Sequence, residues 1–282
     1  MNLLTDVPEN HGIRSDIIAD FIEELELLDL QVTSLVLLRN GKSIAQFCKK
    51  PYDKNCLQLL FSLSKSFTGI GAGIACDMGL ITLDDQVISF FSDMLPPVLS
   101  ENLQGMQVKH LLTMSCGIHE NTYGQLYPQK DWVKAFLAQD FPHKPGMFYR
   151  YSTHATYMLS AIMEKVAGVS FYAFLKKHLL EPMEIHDSSW EACGQGITAG
   201  GMGLGLTTQS MAKFGQMLLD KGVYRDRRIV SEEYVKLAIS QQIEKGRQEK
   251  VSRSQGYGFQ IHIDREAGCY FGDGAFGQLC YV

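Results

Sequence analysis

Ser62-Leu63-Ser64-Lys65 is the first place in this chain where residue types and spacing could do chemistry. Three positions apart on a helix, a serine and a lysine share one face. A serine hydroxyl is a weak nucleophile until a base takes its proton. Lysine can be that base when burial or a neighbouring cation lowers its pKa. A serine at a helix start also lies where backbone N–H groups and the positive end of the dipole stabilise an oxyanion. The same spacing recurs at Ser210-Met211-Ala212-Lys213, so the pattern is not specific alone. Context separates the two. Ser62 follows an apolar run at 57–61 and opens a stretch of small residues (Gly69, Gly71, Ala72, Gly73, Ala75) that something must pack against closely. Ser210 opens an ordinary amphipathic stretch, where a capping serine and a solvated lysine are expected.

Two further segments could cooperate with the first. Tyr151-Ser152-Thr153 follows Pro145-Gly146 and the aromatic pair Phe148-Tyr149 and precedes a helical pattern. A tyrosine at such a junction can accept a proton as phenolate or relay one. The plainer reading is a tyrosine that packs at a helix start. Gly272-Asp273-Gly274-Ala275-Phe276-Gly277-Gln278 lies near the end. Glycine in a strand admits close approach of a backbone or ligand, while Asp-Gly is also an ordinary hairpin tip. The glycine-rich run from Gly194 to Gly205 matches neither a dinucleotide fingerprint nor a phosphate loop, so a loop shaping a cleft is expected there. The eight histidines show no metal spacing, and His110, His119, His143 and His154 are expected on the surface or in loops. No metal or cofactor is expected.

These residues need elements to hold them. Ser15 caps a helical stripe of Ile17, Ile18, Phe21, Ile22, Leu25 and Leu28. Asn40-Gly41 between apolar runs at 32–38 and 42–47 predicts a hairpin. A helix is expected over about 62–78. Residues 84–190 read mostly as helices and loops, with helices at about 108–114, 132–138, 155–166 and 171–180. Helices at about 208–220 and 231–239 follow, then strands at 257–263 and 269–271. The economical arrangement is one antiparallel sheet built from both chain ends, with a helical lobe inserted between them.

Composition bounds the function. The chain has 282 residues, 45% hydrophobic and 20% charged, enough for a large core. Its 26 basic and 31 acidic residues are interspersed, giving a net charge of -5 and no basic field for nucleic acid. The seven cysteines form no C-x-x-C pair. The N-terminus carries no signal-peptide pattern, and no apolar stretch reaches the roughly 18 residues of a membrane span. A reduced, cytoplasmic protein with free thiols is expected, without nucleic-acid or membrane partners.

The order of the three segments resembles the serine beta-lactamase and penicillin-binding protein superfamily, in the branch holding class C enzymes, D-stereospecific peptidases and esterases. Further stretches resemble it too: Lys109-His110-Leu111-Leu112-Thr113-Met114-Ser115-Cys116-Gly117, Pro145-Gly146, Glu181-Pro182-Met183, Gly200-Gly201-Met202-Gly203-Leu204 and Gly256-Tyr257-Gly258. The resemblance implies an α+β fold, an antiparallel sheet flanked by helices with an inserted helical lobe. It implies a single domain, with a sheet lobe at about 1–80 and 200–282 and a helical lobe at about 81–199. It implies that Ser62 is acylated, that Lys65 is its proton partner, and that Tyr151 helps deprotonate Ser62 and protonates the leaving group. The amides of Ser62 and Ala275 would form the oxyanion hole, and Thr153, Gly272, Asp273 and Gly274 would contact substrate. The implied activity is hydrolysis of a small ester, amide, D-amino-acid peptide or beta-lactam through an acyl-enzyme. The alternative is a non-catalytic member that binds a ligand or partner.

Three departures from the family pattern stand out. Thr153 replaces the usual asparagine and lacks its amide donors. Gly272 stands where the family pattern begins with lysine or histidine, which removes a cation. The family usually continues past the third motif, whereas this chain ends at Val282. We therefore expect either truncation relative to the family or self-association through an incomplete sheet edge.

Overall fold

The computed structural model describes residues 3–246, 254–264, 266 and 268–282. Its helices are α1 (Ser15–Leu27), α2 (Ser64–Asp77), α3 (Glu101–Gln104), α4 (Val108–Leu112), α5 (Tyr123–Leu126), α6 (Trp132–Leu137), α7 (Thr153–Ala167), α8 (Phe171–Leu175), α9 (Thr208–Leu219) and α10 (Glu232–Ala238). Its strands are β1 (Ser34–Arg39), β2 (Lys42–Cys48), β3 (Gln58–Leu59), β4 (Ser188–Trp190), β5 (Leu204–Leu206), β6 (Val223–Tyr224), β7 (Arg227–Arg228), β8 (Ile243–Glu244), β9 (Ser254–Tyr257), β10 (His262–Asp264), β11 (Tyr270–Asp273) and β12 (Leu279–Tyr281). This is the expected α+β mixture of helices and antiparallel sheets.

α2 runs through the middle of the molecule. Every residue from Ser64 to Ala75 is buried. Its glycines explain how. A Cβ on Gly69 would lie 2.6 Å from the Phe259 carbonyl oxygen, and one on Gly73 would lie 2.3 Å from the Tyr234 ring. The sheet turn and α10 therefore approach the helix more closely than any side chain allows. α7 packs on α2 from the other side and is itself covered by α4, α6 and α8, the last of which also reaches Gly71 on α2.

The expected hairpin forms. Asn40 and Gly41 have φ of 50° and 75°, the left-handed pair of a two-residue turn matched to strand twist. β1 and β2 make their own two-stranded sheet, while β8 to β12 form a five-stranded antiparallel sheet in the order β12-β11-β10-β9-β8. The expectation of one sheet from both chain ends is corrected here: among the described residues no ladder joins them. α9 instead packs against both β1 and β12 and couples the two sheets through side chains. The expected strand at 257–263 is also corrected. It is two strands, because the Gly258 N–H donates to the Ile261 carbonyl at 2.8 Å and closes a turn between β9 and β10. The α1 stripe is used only in part: Ile18 is buried, but Ile17 and Phe21 are exposed. Ser15 is the first helical residue, its hydroxyl donating to Glu9 rather than capping. Among the described residues no single helix is long and apolar enough to cross a membrane.

Candidate active site

Ser62 lies in the 3-10 turn Phe61–Leu63, which leads directly into α2. The turn is closed by the Leu63 N–H donating to the Leu60 carbonyl at 3.0 Å. Phe61 has φ of 44°, a conformation an aromatic residue adopts only when its surroundings hold it there. Part of that hold is the Phe276 ring, 5.0 Å away. Ser62 remains half-buried while the helix behind it is sealed.

Lys65 is 1% exposed. Its ammonium donates to Ser62 Oγ at 3.0 Å and to the Gly201 carbonyl at 2.7 Å. It also lies 4.9 Å from the centroid of the Tyr151 ring. Burial pushes the Lys65 pKa down to about 7, opposed by the negative charge of Asp273. The amine is thus poised near neutrality, against the hydroxyl it would deprotonate. The second Ser-Lys pair has no such geometry. Lys213 donates to the Glu184 carbonyl at 2.7 Å, and Ser210 joins the Thr207 cap. Both are structural, although Lys213 is buried rather than solvated.

Tyr151 precedes α7, whose first turn is capped by Ser152 accepting from the Ala155 N–H. Thr153 is the first helical residue. A Cβ on Gly201 would lie 2.9 Å from Thr153 Cγ2, so the Thr153 methyl faces the glycine-rich loop. That loop serves the expected shaping role. Gly200 and Gly201 pack against α7, and their carbonyls accept from Thr68 and Lys65.

The third segment runs alongside the first. A Cβ on Gly272 would lie 2.5 Å from both Leu63 Cδ1 and Ser66 Oγ, and one on Gly274 would lie 2.3 Å from the Leu60 carbonyl oxygen. Gly272 in β11 thus presses against the Leu63 and Ser66 side chains, and Gly274, just after the strand, against the Leu60 backbone. A side chain at Gly272 would enter the helix, not the cleft. The strand then turns, with the Gly274 N–H donating to the Gln278 carbonyl at 2.8 Å. Ala275 lies at this exposed tip. Between the two glycines, Asp273 points its carboxylate to His262, Nε2 to Oδ1 being 3.1 Å. The His262 ring is 6.4 Å from the Tyr151 ring.

Sequence reasoning missed three contributors. His262 Nδ1 lies 2.6 Å from Lys245 Nζ, so a Lys245–His262–Asp273 chain borders the site. Gln260, left-handed and 1% exposed, donates to the Leu111 and Leu112 carbonyls and accepts from Thr156. Its own carbonyl accepts from Ser66 on α2. None of these belongs to a local motif, and only the hairpin register brings them to the site. The expectation for His154 is corrected. It is buried on α7 against Trp132, and burial pushes its pKa down to about 4. Among the described residues no three His, Cys, Asp or Glu side chains cluster as a metal site needs.

Comparison with known proteins identifies the family. Residues 24–282 match the family model described as Beta-lactamase. The 6-aminohexanoate-dimer hydrolase of Paenarthrobacter ureafaciens is 23% identical over 255 residues, covering 83% of this chain and 64% of that protein. Among solved structures, the octameric penicillin-binding protein homologue from Pyrococcus abyssi superposes with a TM-score of 0.73 at 22% identity, over 95% of this chain and 70% of that one. EstCE1, a hydrolase with promiscuous acyltransferase activity, superposes with a TM-score of 0.73 at 15% identity, over 93% and 91%. The chain spans between 32% and 64% of the length of the curated relatives it matches.

Proposed function

The chain belongs to the beta-lactamase family, and on that premise we propose that it is a serine hydrolase working through an acyl-enzyme. The observation that carries this reading is the buried Lys65 amine, held 3.0 Å from Ser62 Oγ with a pKa of about 7. In its neutral form Lys65 takes the Ser62 proton as Oγ bonds to the substrate carbonyl carbon. The oxyanion that forms accepts from the amides of Ser62 and Ala275. Tyr151 relays that proton from Lys65 to the leaving group as its bond to carbon breaks, which restores the neutral amine. Water then gives a proton to Lys65 as it adds to the ester of Ser62, and that proton returns to Ser62 Oγ as the acid departs. Thr153, Gly272, Asp273 and Gly274 border the substrate in a cleft between a sheet lobe (1–80 and 200–282) and a helical lobe (81–199).

The substrate we propose is a small ester, amide, D-amino-acid peptide or, as a weak side activity, a beta-lactam. Its support is that relatives are named for hydrolysing a 6-aminohexanoate dimer and for hydrolase and acyltransferase activity. A reducing, cytoplasmic setting is part of the proposal and rests on seven unpaired cysteines. So is self-association through β12, an edge strand that carries the exposed Leu279 and Tyr281.

Intact-protein mass spectrometry after treatment with a fluorophosphonate or a penicillin tests the reading. One adduct on wild type and none on Ser62→Ala is expected. No adduct from either reagent on folded protein favours the non-catalytic, ligand-binding alternative.

A further inference from the structure

β11 presents one side chain to the cleft at its catalytic end. Gly272 is pressed against the Leu63 and Ser66 side chains and Gly274 against the Leu60 carbonyl, so here neither position presents a side chain. Asp273 lies between them with its side chain 52% exposed. One of its oxygens accepts from His262 Nε2 at 3.1 Å. The His262 side chain is itself 11% exposed, stacked on Phe271 with ring centroids 5.0 Å apart and set edge-on to Tyr257. Lys245 offers only donors, so His262 Nδ1 accepts from it and the ring hydrogen resides on Nε2. The ring is thus fixed as a donor to Asp273. That bond holds the Asp273 carboxyl below the usual carboxylate range.

A carboxylate has about four acceptor sites, and His262 uses one. The remainder are open to partners, the side chain being 52% exposed. The charge of Asp273 also reaches the Lys65 ammonium, which places it in the electrostatic neighbourhood of the reacting atoms. Lys245 is at the far end of the chain, beyond the His262 ring, and its charge, like that of Lys65, also acts on Asp273.

We propose that Asp273 is a specificity residue that selects substrates carrying a cationic group, such as an ammonium, over substrates carrying a carboxylate. This rests on the serine hydrolase reading above. A substrate cation would complete the coordination of Asp273, whereas a substrate carboxylate would meet a fixed like charge.

The test uses two matched ester series on the full chain. One places the charge in the acyl part: p-nitrophenyl esters of 4-(trimethylammonio)butyrate, of its neutral isostere 5,5-dimethylhexanoate, and of glutarate. The other places it in the leaving group: butyrylthiocholine, its neutral 3,3-dimethylbutyl thioester isostere, and the 2-carboxyethyl thioester. In at least one series kcat/KM should favour the cationic over the anionic member by roughly tenfold or more, with the neutral member between them. Asp273→Asn should bring that ratio close to one. The ratio cancels any change in the shared acylation machinery. Independently of any variant, the wild-type preference should shrink as ionic strength rises from about 0.02 M to about 0.5 M. Turnover of the neutral esters without charge ordering, or ordering that survives Asp273→Asn, overturns the selectivity and leaves the hydrolase reading intact. Failure of every ester together with no fluorophosphonate adduct on Ser62 overturns both.

Discussion

Lys65 and Ser62 form a contact whose electrostatics are set by burial and tempered by a third residue. The ammonium lies 3.0 Å from Ser62 Oγ, and the charged group that acts on it is Asp273 on β11. Burial drives the amine towards neutrality and Asp273 resists. The balance leaves Lys65 near pKa 7, where one group can both accept and return a proton.

The first prediction concerns pH. If neutral Lys65 is the base, kcat/KM should rise with pH through about 7 and then level off. Lys65→Ala should slow acylation by about two orders of magnitude or more. Stability carries the same signature with a definite sign. The folded-state pKa lies below the unfolded value, so between about 7 and 10.5 the unfolded chain binds more protons. Stability from this group therefore rises with pH across that window, and its burial cost is fully present below 7. Thermal melts of wild type and Lys65→Met should show the largest advantage for the variant at the acid end, shrinking towards pH 10. A pH-independent gap would remove Lys65 as the titrating group.

The second prediction isolates Asp273. Its negative charge raises the Lys65 pKa against burial, so Asp273→Asn should lower it further. The acid limb of the pH–rate profile should move below its wild-type position, measured with a neutral ester. A limb that stays in place would show that Asp273 does not act on the base.

Much of this arrangement was legible in the sequence, and the boundary is physical. Ser62 and Lys65 could be found because one helical turn fixes their separation, whatever the rest of the chain does. The Asn40-Gly41 hairpin could be found because its turn needs two left-handed residues. The small residues of α2 announced close packing, though not that Tyr234 and Phe259 supply it. His262 was invisible because its role depends on register: β10 pairs with β11 so that His262 lies opposite Phe271 and can reach Asp273. The break at residues 258–261 was missed for a related reason. An apolar run around a glycine reads as one strand, whereas the Gly258 N–H turns back to the Ile261 carbonyl and the Phe259 N–H donates to the distant Ala238 carbonyl.

The third prediction tests the backbone contact behind the site. Gly274→Ala places a methyl 2.3 Å from the Leu60 carbonyl oxygen, a backbone atom that cannot swing aside. Overpacking of this kind costs roughly 1–3 kcal/mol. It should also move the Ala275 amide away from Ser62, so acylation should fall by more than the loss of folded protein explains. Gly124→Ala is the control, because nothing lies within 4 Å of its Cβ. Urea melts and fluorophosphonate labelling rates check both. Equal behaviour of the two variants would mean that the turn is not held against residue 60.

The fourth prediction concerns Gln260, which ties the sheet to three helices. Its amide donates to the Leu111 and Leu112 carbonyls at 3.0 and 2.9 Å and accepts from Thr156 at 2.7 Å. Gln260→Leu keeps the bulk but removes the acceptor of the buried Thr156 hydroxyl, while the Leu111 and Leu112 carbonyls lose one donor each and keep the N–H groups of Met114 and residue 260. One unsatisfied buried group costs about 1–3 kcal/mol, so a loss of at least ~1 kcal/mol is expected in urea unfolding. Because the Gln260 carbonyl also anchors Ser66 on α2, the variant should loosen the first turns of that helix. Hydrogen exchange should report faster opening at residues 64–68 than in wild type. Unchanged exchange there, with stability lost elsewhere, would confine Gln260 to holding the α4 and α7 contacts and remove it from the support of Lys65.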